Sequence, residues 1–139
     1  MGRFLRSGPW LGILALAACS GLLHAEAKQR VYDLPLPRAA AAGEALVARV
    51  SVGPLKAHLR IIVRIRNGEI AGTVSPFGTQ ARQGPAIYTI PLPADAAKEG
   101  VVRLLLEVVE KNAPTRAPTD DEVRGITLAY IPVTNTESK

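Results

Sequence analysis

Arg60, Arg64 and Arg66 alternate with Leu59, Ile61, Val63 and Ile65 in an unbroken run. On a strand this spacing turns the arginines to one face and the aliphatic side chains to the other. The expected place of Arg49 is the facing side of the neighbouring strand, where it extends the row. Guanidinium groups grip carboxylates and phosphates bidentately, so such a face suits a polyanion or an acidic protein surface. The plainer role of the same row is to keep an exposed strand face solvated and to block edge pairing.

Catalytic chemistry has little to work with. A Ser-His-Asp or Cys-His arrangement needs a histidine beside a nucleophile. Apart from His24 near the start of the chain, the only histidine is His58, in the loop Gly53-Pro54-Leu55-Lys56-Ala57 before a strand. A solvated loop histidine is the simpler reading. Glu107 and Glu110 lie on a strand and its end, a weak pair for hydrolysis. Zinc needs several His or Cys ligands, and these are missing. Asp120, Asp121 and Glu122 offer carboxylate oxygens of the kind a hard cation takes, but without EF-hand spacing. Thr119 followed by Glu122 reads equally well as a cap on a single helical turn. The residues therefore point to a non-catalytic chain.

The elements that position these residues are strands. Short runs with period-2 alternation, separated by Pro and Gly, indicate an all-β domain. The expected strands are Arg30 to Leu36, Ala45 to Val52, Leu59 to Arg66, Glu69 to Ser75, Ala86 to Leu92, Val101 to Val109 and Gly125 to Val133. Asn67-Gly68 predicts a two-residue type I′ hairpin between the third and fourth. A turn or helical turn is expected at Pro93 to Glu99. The run from Val101 is apolar on both faces and predicts a central strand covered on both sides. Two long loops, Ser75 to Gly84 and Asn112 to Glu122, are further candidates for binding.

One motif occurs twice. Tyr32-Asp33-Leu34-Pro35-Leu36-Pro37 is echoed by Tyr88-Thr89-Ile90-Pro91-Leu92-Pro93, and each leads through an Ala-containing turn and a Gly (Gly43, Gly100) into an alternating strand. Proline cannot donate to a ladder, so these ends belong at sheet edges or where a strand leaves its sheet. That is corner geometry, as in a two-sheet sandwich.

The whole chain has 139 residues, 47% hydrophobic, 21% charged and 4% aromatic, with one cysteine. That is enough for one ordinary domain and excludes a multi-domain enzyme. Arg3 and Arg6 precede an uncharged run from Pro9 to Leu23, the layout of a secretory signal peptide too short to span a bilayer. Residues 1-27 are therefore expected to be leader and short linker, and 28-139 a single domain with a tail frayed from 134. Two exits are available. Ala25-Glu26-Ala27 fits ordinary signal peptidase, whereas Leu16-Ala17-Ala18-Cys19 resembles the bacterial lipobox, which makes Cys19 a lipid attachment point. Ser20 resembles residues that direct Gram-negative lipoproteins to the outer membrane, so the expected location is periplasmic, on that membrane. The net charge of +5 falls to about +4 without the leader. With few aromatic residues and no dense basic cluster, that is no nucleic-acid signature.

The stretch from Tyr88 through Val133 runs from strand to Leu-Pro turn, Gly, long apolar strand, a Pro-rich acidic loop and then Arg-Gly-Ile-Thr-Leu-Ala-Tyr-Ile. It resembles the C-terminal half of galactose-binding-like jelly-roll modules, a fold-level likeness. The resemblance implies an antiparallel two-sheet sandwich of about seven to eight strands that binds a glycan or an envelope protein. It also implies a structural calcium ion, for which Asp120, Asp121 and Glu122 are the available ligands. Sugar-binding members present aromatic platforms, and after Trp10 this chain has only Tyr32, Tyr88, Tyr130 and Phe77. A structural subunit packed into a larger envelope complex is the alternative.

Overall fold

A computed structural model describes residues 28–76 and 86–133. They form eight strands: β1 (Arg30–Pro35), β2 (Glu44–Val52), β3 (Leu59–Ile65), β4 (Ile70–Val74), β5 (Ala86–Pro91), β6 (Ala97–Lys98), β7 (Val101–Glu110) and β8 (Val123–Pro132). The larger sheet has the order β1-β7-β3-β4, with β6 also attached to β7, and the smaller has the order β5-β2-β8. Every pairing is antiparallel. The chain is an all-β two-sheet sandwich, as the alternation predicts. Cys19, both cleavage motifs, most of the Ser75 to Gly84 loop and the tail from 134 lie outside the described residues.

The core follows from the period-2 pattern. Leu59, Ile61, Val63 and Ile65 of β3 and Val102, Leu104, Leu106 and Val108 of β7 point inward, opposite Ala48, Val50 and Val52 of β2 and Ile126 of β8. Removing apolar surface of this kind from water contributes roughly 1.5–3 kcal/mol per fully buried aliphatic side chain. β7 is indeed central, between β1 and β3. Its outward residues Val101, Leu105 and Val109 are half-buried rather than covered as expected.

Two turns differ from expectation, and in opposite ways. At Asn67-Gly68 the hairpin has a three-residue turn, Arg66-Asn67-Gly68. The Gly68 N–H donates to the Ile65 carbonyl and the Ile65 N–H to the Glu69 carbonyl, both at 2.9 Å. Only Gly68 takes positive φ, at 88°. Asn67 instead uses its side-chain oxygen to accept the Glu69 N–H. The glycine at the left-handed position lets the extra residue fit as a bulge, so a type I′ turn is not needed. The turn expected at Pro93 to Glu99 is present, closed by the Ala96 N–H donating to the Pro93 carbonyl at 3.0 Å, but it continues into the two-residue strand β6 rather than a helical turn. Its residues Ala97 and Lys98 pair with Val102 and Val101, and the connecting Glu99 and Gly100 both have positive φ, 54° and 76°. The two-residue hairpin is therefore here, with glutamate in a position glutamate seldom takes.

The repeated motif marks the corners of the sandwich. Beyond Pro35 the chain leaves the larger sheet for β2 in the smaller, and beyond Pro91 it leaves the smaller for β6 and β7 in the larger. The Leu36 N–H donates to the Gly100 carbonyl and the Leu92 N–H to the Leu46 carbonyl, each at 2.9 Å. Each copy of the motif is thus fastened to the strand unit of the other copy. β1 pairs with β7, and β5 pairs with β2.

Candidate functional site: the outer face of the larger sheet

Alternation places Arg60, Ile62 and Arg64 of β3 on the outer face of the larger sheet, beside Arg103, Leu105, Glu107 and Val109 of β7 and Val31 and Asp33 of β1. The register aligns Val31, Leu105 and Arg64 in one row across three strands, and Glu107 opposite Ile62 in the next. Of the expected arginine row, Arg60 and Arg64 share this face and Arg49 does not.

Arg64 is committed within the fold. Its Nε and Nη2 donate to Glu107 Oε1 at 3.0 and 2.8 Å, and its Nη1 donates to the Gly68 carbonyl at 3.0 Å. Gln29 Nε2 donates to the other oxygen of Glu107 at 3.0 Å. Glu107 is 9% exposed and is the one buried charged side chain among the described residues. The Gln29 hydrogen bond and the Arg64 guanidinium hold its carboxyl below the usual carboxylate range against the opposing effect of burial. A carboxylate fixed as an acceptor in this way is a poor proton donor. Glu107 instead forms the floor of an open groove of about 630 Å³, rimmed by Lys28, Gln29, Val31, Pro114 and Thr115.

The other arginines are dispersed. Arg49 is on β2, in the opposite sheet, because consecutive strands β2 and β3 belong to different layers. It therefore does not extend the row. Arg66 is exposed in the turn after β3 rather than on the strand. The bidentate hydrogen bonds from Arg103 at 2.6 and 2.7 Å keep the Asp33 carboxyl low, and the Arg66 charge adds a smaller effect in the same direction. Arg60 is exposed and makes no salt bridge among the described residues. It lines a concavity of about 540 Å³ with His58, Ser75, Glu110 and Lys111. His58 is exposed there, in the loop position expected.

The acidic cluster is used in structural contacts. Glu122 accepts two hydrogen bonds from Arg116, at 2.8 and 2.6 Å. It also accepts the Thr119 N–H while its own N–H donates to Thr119 Oγ1. This is the reciprocal capping bond set read from Thr119 and Glu122, closing a turn rather than a helix. Asp120 pairs with Arg30 at 2.5 Å. Among the described residues no three His, Cys, Asp or Glu side chains are grouped to hold a metal ion. The loop itself is fastened by backbone bonds between Arg116 and Val108.

None of the three described tyrosines forms an open platform. Tyr32 packs against the core and lies beside the Arg30 guanidinium. The Tyr88 hydroxyl donates to the Ser75 carbonyl. The Tyr130 hydroxyl donates to the Arg38 carbonyl, and the Arg38 guanidinium stacks over the Tyr130 ring. Comparison with family models, curated proteins and solved structures returns no match.

Proposed function

We infer that the protein is a non-catalytic exported module, anchored by a lipid at Cys19, that docks a partner protein on the outer face of its larger sheet. The observation that carries this reading is the composition of that face. Val31, Ile62, Leu105 and Val109 lie between side chains already fixed by the Arg64, Glu107 and Gln29 bonds and by the Asp33 and Arg103 pair. A preordered mixture of apolar and satisfied polar groups loses little entropy on docking, which suits a protein partner. Arg60 at one end and Arg66 at the other supply charge at the rim, where it steers an acidic surface. A glycan is favoured less, because the three described tyrosines are engaged within the fold.

A photo-crosslinker at Leu105 tests this in cells. The expected result is one discrete adduct that is absent with the crosslinker at Thr89, on the outer face of the smaller sheet, and is lost in the Arg60→Glu, Arg66→Glu double variant. Equal adducts from both faces refute the siting. For the anchor, incorporation of a lipid precursor is expected in the parent and not in Cys19→Ala.

A further inference from the structure

Among the described residues β8 is bonded on one side only, to β2. The phase of its ladder is fixed by two bonds at the strand ends: the Val133 N–H donates to the Gly43 carbonyl beside β2, and the Leu46 carbonyl is taken by Leu92 on the β5 side. By alternation, Thr127, Ala129 and Ile131 turn their backbone groups to β2, opposite Arg49, Val47 and Ala45. Ile126, Leu128 and Tyr130 turn theirs outward, and none of these has a backbone partner outside β2 among the described residues.

Natural edges are usually blunted by charge, proline or bulges. From Gly125 to Ile131 this edge has no charged residue and no proline, while β-branched and aromatic residues are frequent. The blunting devices stand at its two ends: a register shift where Val52 meets Val123, and Pro132. They bound an open stretch and do not close it.

We propose that this stretch pairs with the same stretch of a second copy, antiparallel about a two-fold axis at Leu128, so that two three-stranded sheets become one of six strands. The phase lets only outward-facing residues exchange hydrogen bonds. Of the axes it allows, the one at Leu128 is the midpoint of the open stretch Gly125 to Ile131, so Leu128 faces its own copy and Ile126 faces Tyr130 in both directions. An axis shifted towards Ile126 runs the pairing into the register shift, and one shifted towards Tyr130 draws Pro132, which has no N–H, into the paired stretch. With the centre at Leu128, Pro132 falls opposite Arg124 and need only accept. Thr127 then lies opposite Ala129 of the copy in a non-hydrogen-bonded pair, where side chains approach most closely. This pairing is independent of what the larger sheet binds.

Sedimentation of the purified full chain is expected to give a dimer. Thr127→Lys with Ala129→Lys brings four like charges to the axis and is expected to give a folded monomer by circular dichroism. Thr127→Glu with Ala129→Lys places opposite charges across the axis and is expected to restore the dimer. Thr127→Cys with Ala129→Cys is expected to give a covalent dimer on mild oxidation. A monomeric parent overturns the proposal, as does a dimer that survives the double lysine or a monomer that the charge-paired variant leaves unchanged. A parent recovered only in complex with a different protein strand on β8 also overturns it.

Discussion

The guanidinium of Arg64 and the carboxylate of Glu107 close on each other across β3 and β7, through two hydrogen bonds to the same oxygen. Glu107 is buried and Arg64 only partly so, and removing one partner of such a pair strands the other. Arg64→Ala is therefore expected to destabilise the fold by about 2 kcal/mol, the scale of hydrogen bonds to a charged group. Chemical denaturation checks this. Replacing both residues by leucine should recover most of the loss, because no charge is then left unpaired.

Glu44 titrates differently. Hydrogen bonds from Arg38 and the Ala41 N–H lower its carboxyl to about 2 from an ordinary 4.5. Since the folded value is depressed, the stabilisation is fully present above the unfolded value and is lost as pH falls through the folded one. The difference in melting temperature between the parent and Glu44→Gln is expected to be constant above about pH 5 and to shrink steadily towards pH 2. A pH-independent difference would show that the Arg38 pair does not form in solution.

Gly72 and Gly53 separate two kinds of crowding. A Cβ at Gly72 would lie 2.8 Å from Ile90 Cγ2, a side-chain atom, whereas at Gly53 it would lie 2.1 Å from the Asp121 carbonyl oxygen. Gly72→Ala is expected to cost about 1–3 kcal/mol as an overpacked core contact, and Ile90→Ala in the same chain should remove the clash at the methyl. Gly53→Ala has no side chain to trim, and its expected outcome is the larger loss of stability in the same denaturation series.

Tyr32 carries a buried hydroxyl with no hydrogen-bond partner among the described residues, and burial pushes its pKa up. A buried donor left unsatisfied costs about 1–3 kcal/mol. Tyr32→Phe is thus expected to raise the melting temperature, and a fall would mean that the hydroxyl is satisfied.

The strands were legible in the sequence because one buried face imposes period 2 on every run, and the corners because Pro35 and Pro91 cannot continue a ladder. Thr119 and Glu122 were legible because capping acts over three residues. What alternation does not encode is the layer to which a strand belongs. Arg49 therefore appeared beside Arg60 although β2 and β3 lie in opposite sheets. Nor does local pattern show that Arg64 is taken by Glu107, 43 residues away. The Glu99 and Gly100 turn was hidden for a further reason: glutamate at positive φ is held there by the pairing of β6 with β7, against its own preference.

The exchange of partners between the two motif units governs how the chain reaches its fold. Asp33 meets Arg103 across 70 residues, and β2 waits for both β5 and β8. Up to Pro76 only the β3 and β4 hairpin has its complement. The two halves are therefore one cooperative unit, with loop-closure entropy to overcome before β1 gains a hydrogen bond. Folding is expected to be slow, and a chain stopped after Pro76 leaves two unpaired strands exposed to aggregation.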